Sequence, residues 1–299
     1  MIVAGIPVKD KNSASCRIRF YGFMKHLPKD FKWKKYDGTT LYDVLYIQKL
    51  VRNWTIKAAK KAKKAGKPVV FDLDDYRINW KDKEYDRLLK YVDRITTDTP
   101  LRKAGLSERC SNKIITIPDV IDYGVSPDQR ILIKEKIQTV CTYGRPLSVS
   151  QASTYFDRIQ KQCHYISGEK IKELSSYKMV PWNRKTFIKT LRQYDLAIIV
   201  HHKDDKHAFM KSNNRLLVAM SIGLPCIVSD TPAYRKTMEE VGLPWLVMKD
   251  ERDLPRIMER IELPATRMEI QFRFQQYAFK NYSPVKSSEK LAEVFRSLL

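Results

Sequence analysis

The 299-residue sequence contains no run of eighteen or more apolar residues, which excludes a membrane-spanning helix on length. Its five cysteines, Cys16, Cys110, Cys141, Cys163 and Cys226, are odd in number and never form a Cys-x-x-Cys pair. That pattern argues against a disulfide framework and against a structural zinc site, and it suits a reducing compartment. Residues 1–15 show no basic leader followed by an apolar core and a small-residue cleavage site, so a cytoplasmic location is expected. Internal repeats and low-complexity segments are absent as well. Acidic side chains are scarce: 34 stand against 56 basic ones, a formal net charge of +22. The deficit is general, because residues 1–138 carry 30 basic and 17 acidic side chains and the remainder 26 and 17. A surplus this large opposes compaction by self-repulsion, which points to an anionic partner: nucleic acid, anionic lipid or a polyanionic glycan.

What is present is an alternation of short apolar runs with helical patterns, the signature of a parallel α/β sheet. In the first half the expected strands are residues 2–6, 44–47, 69–72, 94–97 and 113–117. A second series falls at 139–143, 163–166, 178–180, 196–200, 225–228 and 245–247, with helices over 183–194, 213–222 and 234–241. A polar stretch around Gly124 and Pro127 reads as a linker. The helical stretch 50–65 places Val51, Trp54, Ala58, Ala62 and Ala65 on one face and Lys57, Lys60, Lys61 and Lys64 on another. Upstream, residues 14–35 interleave cations, Arg17 and Arg19 among them, with Phe20, Tyr21, Phe23, Phe31 and Trp33. Such interleaving suits a nucleic acid strand or an interfacial helix on anionic lipid. It equally suits a helix whose inner face is Phe20, Phe23 and Leu27. For nucleic acid, the expected contacts are Arg17, Arg19, Lys57, Lys60, Lys61 and Lys64.

Two further groups carry possible chemistry. Asp72, Asp74 and Asp75 end the strand 69–72 in FDLDD. Carboxylates at the carboxyl end of a parallel strand can serve a ligand there, and Asp74 and Asp75 are the candidate catalytic groups for deprotonating an acceptor hydroxyl. An Asp-x-Asp cation site, an aspartyl nucleophile and simple helix capping are the alternatives. The second group is KSNNRLLVAMSIGLPCIVSDTPAY, Lys211 to Tyr234, a helix followed by Gly223, Pro225 and a buried strand. Asn213 and Asn214 stand at the helix N-terminus, where main-chain N–H groups and the dipole favour phosphate, and Lys211 and Arg215 add positive charge. Arg145, just after the strand 139–143, and the pair His201 and His202, after 196–200, would sit at the same sheet edge.

The segment from Lys211 resembles the donor-site motif of glycosyltransferases with the GT-B fold, through Lys211, Ser212, Asn214, Leu216, Leu217, Ala219, Met220, Gly223, Leu224 and Pro225. Trp182, Phe187, Leu191 and Tyr194–Ala197 resemble the helix and strand before it. The ending NYSPVKSSEKLAEVFRSLL looks like the family's C-terminal helix. The glutamates that many members space eight residues apart fall here on Met210 and Val218, so the ribose would need another partner, such as Asn213, Asn214 or Asp230. The resemblance implies two Rossmann-like domains with an interdomain cleft and a C-terminal crossing helix. It places an acceptor-binding domain at 1–138, a nucleotide-sugar donor domain at 139–278 and the crossing helix at 279–299. It implies sugar transfer from a nucleotide-sugar to a hydroxyl, with Arg145, His201, Lys211, Asn213, Asn214 and Arg215 on the donor. Those cations would neutralise the diphosphate without an essential metal or other cofactor. With the charge surplus, the expected acceptor is hydroxymethylated DNA, as in virus-encoded DNA glycosyltransferases, ahead of a lipid-linked or surface glycan at an anionic membrane. A non-catalytic nucleic-acid-binding protein on a degenerate transferase fold is the remaining alternative.

Overall fold

The computed structural model describes residues 1–9, 13–74, 83–201 and 208–299, and divides them into two compact units. The first comprises Met1–Asp122, Met210–Ser212 and Tyr282–Leu299. The second comprises Tyr123–Phe209 and Asn213–Asn281.

The first unit is built on a six-stranded sheet ordered β2-β1-β3-β4-β5-β6, with every pairing parallel. Its strands are β1 (Ile2–Ile6), β2 (Lys32–Lys35), β3 (Val44–Gln48), β4 (Val69–Asp72), β5 (Arg94–Thr97) and β6 (Lys113–Thr116). The central strands β3 and β4 are buried on both faces, which is why they read as unbroken apolar runs instead of alternating ones. The edge strand β2, Lys-Trp-Lys-Lys, is largely exposed and carries no such signature. The connecting helices are α1 (Gly22–Lys25), which continues a π-helical turn over Cys16–Tyr21, α2 (Asn53–Lys64), α3 (Lys83–Leu89) and α4 (Pro100–Ser107). Thr55 fastens the start of α2 by accepting from Arg52 N and donating to Arg52 O. Gly66, at φ +68, lets the chain leave α2 for β4. Thr99 caps α4 by accepting from Arg102 N, with Pro100 in the first turn.

Two features here correct the sequence reading. The buried stripe of α2 is Thr55, Ile56, Ala58, Ala59 and Ala62, whereas Ala65 is exposed and Trp54 is 50% exposed. The cation-and-aromatic stretch 14–35 contributes to the core: Phe20, Phe23 and Phe31 are buried, and so is Arg19, at 1% exposure, whereas Lys25, Lys29, Lys32, Trp33 and Lys35 are exposed. Arg19 donates through Nε and Nη2 to Asp72 (2.9 and 2.7 Å) and through Nη1 to Ile117 O and Asp119 (2.8 and 3.1 Å). Thr96 donates a further bond to Asp72 at 2.7 Å. Arg17 is held by Asp122, with Nε donating at 2.9 and 2.7 Å to its two oxygens. Arg19 is therefore unavailable to a nucleic acid, and Arg17 is committed to an internal ion pair. A buried charge is tolerated only when paired, and these carboxylates supply the pairing.

The second unit repeats the architecture with the sheet order β12-β11-β10-β7-β8-β9, again all parallel. Its strands are β7 (Thr139–Tyr143), β8 (Gln162–Ser167), β9 (Lys178–Pro181), β10 (Leu196–Ile199), β11 (Cys226–Ser229) and β12 (Val247–Met248). Its helices are α5 (Pro146–Val149), α6 (Ser153–Phe156), α7 (Phe187–Leu191), α8 (Asn214–Ser221), α9 (Pro232–Val241), α10 (Leu254–Ile261) and α11 (Pro264–Asn281). Between α8 and β11 the chain turns at Gly223, φ +66, where a Cβ would lie 2.5 Å from Gln271 Cγ on α11. Only glycine fits both the backbone and the contact.

The division between the units differs from a boundary at residue 138. Residues 123–138 pack with the second unit: Ile131 N donates to Ile222 O, Gln271 donates to Ile131 O, and Arg267 donates to Glu135 O. At the other end the chain rejoins the first unit at Tyr282, whose carbonyl accepts from Ile121 N. There α12 (Pro284–Arg296) buries Leu291, Ala292, Val294 and Phe295 in the core beside Phe20, Phe23 and Tyr46. Among the described residues no helix is long and apolar enough to cross a membrane.

Candidate functional site

In the second unit the carboxyl ends of β7 and β10 meet the N-terminal turn of α8, and β11 ends beside His201. Arg215, in the first turn of α8, folds back over this edge. Its Nη2 donates to Val200 O (2.9 Å) and its Nη1 to Tyr143 O (3.3 Å), so one guanidinium spans the ends of β10 and β7. Tyr143 Oη returns a bond to Arg215 O at 2.7 Å, which fixes the helix start on the strand. Arg215 Nη2 also lies 3.2 and 3.0 Å from Nδ1 and Nε2 of His201. Near-equal distances to both ring nitrogens place the nitrogen over the ring rather than in line with either lone pair.

His201 is buried and held from three sides. Its main-chain N donates to Ser229 Oγ (3.0 Å), Nε2 is 3.1 Å from Tyr234 Oη, and the two rings lie 5.3 Å apart. Burial raises the Tyr234 phenol, an effect that Arg215 partly offsets. Gly144, at φ +143, follows β7, and a Cβ there would come within 3.4 Å of Arg215 and of Val149. The glycine thus carries the chain past the guanidinium to Arg145, which is exposed at the start of α5.

The remaining expected donor residues separate. Asn214, in the first turn of α8, is half-buried. Asn213 precedes it, but its amide donates to Thr237 Oγ1 at 2.8 Å and so anchors α9. Asp230 pairs with Arg235 at 2.6 Å. Lys211 belongs to the segment Met210–Ser212, which groups with the first unit. There Arg102 donates to Met210 O (2.6 Å) and Ser212 donates to Asp119 (2.5 Å). Val218, where the resembling motif has glutamate, is buried in α8.

In the first unit Asp74 accepts from Ser15 Oγ (2.5 Å) and lies 3.5 Å from Lys49 Nζ, and Gln48 donates to the same Ser15. Asp75 and His202 fall outside the described residues. Asp72 cannot join Asp74 as a cation ligand, because Arg19 and Thr96 engage both of its oxygens. Among the described residues no group of three or more His, Cys, Asp or Glu could hold a metal ion. Two carboxylates escaped the sequence reading: Asp98, paired with Arg102 at 2.6 Å, and Asp119. Burial raises Asp98 despite Arg102, and burial raises Asp72 likewise. Their signal was legible: β4 ends in aspartate, β5 and β6 are closely followed by one, and Arg19 lies upstream.

No protein-family model matches the chain, and no curated protein sequence matches it. Solved structures do. The HepE protein of Anabaena, determined in complex with UDP, superposes with a TM-score of 0.72 at 10% identity, over 99% of this chain and 100% of that one. The chain has the GT-B fold. The lipopolysaccharide outer core galactosyltransferase WaaB aligns over the full length of both chains, with a TM-score of 0.65 and 13% identity. TarM aligns at 0.61 and 10%, over 84% of this chain, which spans about half (54%) of the TarM chain. At such identities the likeness is one of fold, and the GT-B arrangement of two Rossmann-like sheets with a returning C-terminal helix is what it shows.

Proposed function

We propose that this chain transfers a sugar from a nucleotide-sugar to a hydroxyl group of an anionic acceptor. The observation that carries the reading is the seating of Arg215 in the first turn of α8, across the carboxyl ends of β7 and β10. In a doubly wound sheet that edge is where nucleotides bind, and a helix N-terminus favours phosphate. The full-length likeness to a UDP complex supports it.

In the proposed reaction the acceptor oxygen forms a bond to the anomeric carbon while the bond from that carbon to the diphosphate breaks. The diphosphate leaves with the electron pair, and Arg215, Arg145 and the first N–H groups of α8 stabilise its charge. Asp74, oriented by Ser15, is the proposed recipient of the acceptor proton. Hydroxymethylated bases in DNA were the acceptor expected from charge. Of the six contacts assigned to them, Arg19 is buried in ion pairs and Arg17 is committed to Asp122, which leaves Lys57, Lys60, Lys61 and Lys64 exposed on α2.

A screen of nucleotide-sugars, read as transfer or slow hydrolysis, tests the donor reading. Arg215→Ala should abolish turnover and weaken nucleoside diphosphate binding in calorimetry. Turnover should persist in EDTA. Wild-type diphosphate affinity in Arg215→Ala would remove the site, and loss in EDTA with rescue by Mn²⁺ would replace its cations with a metal.

A further inference from the structure

We propose that the exposed face of α2, with the adjoining loop between β2 and β3, docks on an anionic lipid surface. The proposal rests on the first unit alone and is independent of the donor reading.

Helix α2 contains five lysines and no acidic residue. Lys57, Lys60, Lys61 and Lys64 are all exposed and fall within about a 100° arc at 3.6 residues per turn. They stand at i,i+3 and i,i+4 from one another, where like charges repel. An ordinary solvated helix face relieves that repulsion with acids at the same spacings, and α2 has none. Among the described acids, Asp93 is engaged by Lys63, and Asp37 by Lys34 and Thr39.

Exposed apolar side chains adjoin this face. Trp54, 50% exposed, adjoins the lysine arc at its amino-terminal end. Lys61 Nζ donates to Gly38 O at 2.6 Å, which ties the loop between β2 and β3 to the helix, and Leu41 in that loop is 76% exposed. Lysine ammonium groups meeting lipid phosphates while a tryptophan and a leucine enter the interface is a chemistry this set satisfies in full. A nucleic acid would use the lysines and stack on Trp54 but would gain nothing from Leu41.

The test uses the full chain, without nucleotide, and vesicles of phosphatidylcholine with and without phosphatidylglycerol. Binding is expected to the anionic vesicles only. Lys57→Gln with Lys61→Gln should weaken it roughly 30-fold, at about 1 kcal/mol per basic residue. Leu41→Ser with Trp54→Ser keeps every lysine and should also weaken it; unchanged affinity would reduce the face to unspecific charge attraction and overturn the proposal. Nucleoside diphosphate binding should be the same in both variants, which separates this surface from the donor site. Failure of the wild-type chain to bind anionic vesicles, or tighter binding to duplex DNA at the same salt, would also overturn it.

Discussion

Both units set an arginine at the carboxyl edge of a parallel six-stranded sheet, and the two are used in opposite ways. Arg19 in the first unit is sealed from solvent against Asp72 and Asp119, and their charges raise its already high pKa although burial alone would lower it. Arg215 in the second unit rests on the carbonyls of Tyr143 and Val200 and lies against His201, partners that orient the guanidinium across the strand ends. The same fold and the same residue type give a structural bolt in one case and a candidate anion seat in the other. The difference lies in the chemistry of the supporting atoms.

The largest expected effect breaks the bolt. Arg19→Ala strands Asp72 as a buried charge and should cost about 3–5 kcal/mol of stability, measured by denaturant unfolding. Arg215→Ala should cost less stability than Arg19→Ala and should weaken nucleoside diphosphate binding by about 1.5–3 kcal/mol in calorimetry. If both variants unfold alike, the contrast between bolt and seat collapses.

A subtler difference lies in pH dependence. Asp98 in the first unit has its pKa raised, by burial foremost, so the folded state binds the proton more tightly than the unfolded chain does. Its contribution is complete below about pH 4, the unfolded value, and is lost as pH rises through the raised one. Asp195 in the second unit runs the other way: burial alone would raise it, but Lys134 and the N–H groups of Gln138 and Thr139 more than offset this and hold it low. Its contribution is present above the unfolded value and is lost as pH falls through the depressed one. Hydrogen exchange resolved by unit should show these opposite slopes, with Asp98→Asn flattening the first and Asp195→Asn the second. The smallest effect is expected at the surface, where Lys60→Gln should change stability by no more than about 0.5 kcal/mol.

The comparison also explains what the sequence could reveal. Strands buried on both faces, such as β3 and β10, announce themselves as aliphatic runs, and the helix–Gly–Pro–strand unit from Asn214 to Ser229 was equally plain. The edge strand β2 was hidden because a half-wet edge tolerates Lys-Trp-Lys-Lys. Residues 123–138 read as linker because their anchorage is a few main-chain hydrogen bonds and isolated buried residues such as Ile131 and Ile137. At the site, the position of Arg215 followed from a helix N-terminus after a strand. Asn213 looked identical to Asn214 in that pattern, and only the tertiary partner Thr237 distinguishes them. Arg19 was misread for the reverse reason: a cation among aromatics looks like a binding surface until its buried carboxylates, 53 and 100 positions away, come into view.

The return of the chain at Tyr282 has a consequence for biosynthesis. The first unit takes in Met1–Asp122, yet its aromatic core also includes Phe295 of α12, which follows the whole of the second unit in the chain. Translation at about 5–20 residues per second puts on the order of ten seconds or more between the emergence of Asp122 and that of α12. Throughout that interval the nascent first unit leaves Phe20, Phe23 and Tyr46 uncovered, while every segment of the second unit has left the ribosome before α12 emerges. The unit begun first is thus completed only after the second, and loss of α12 strikes the first unit although the second is intact.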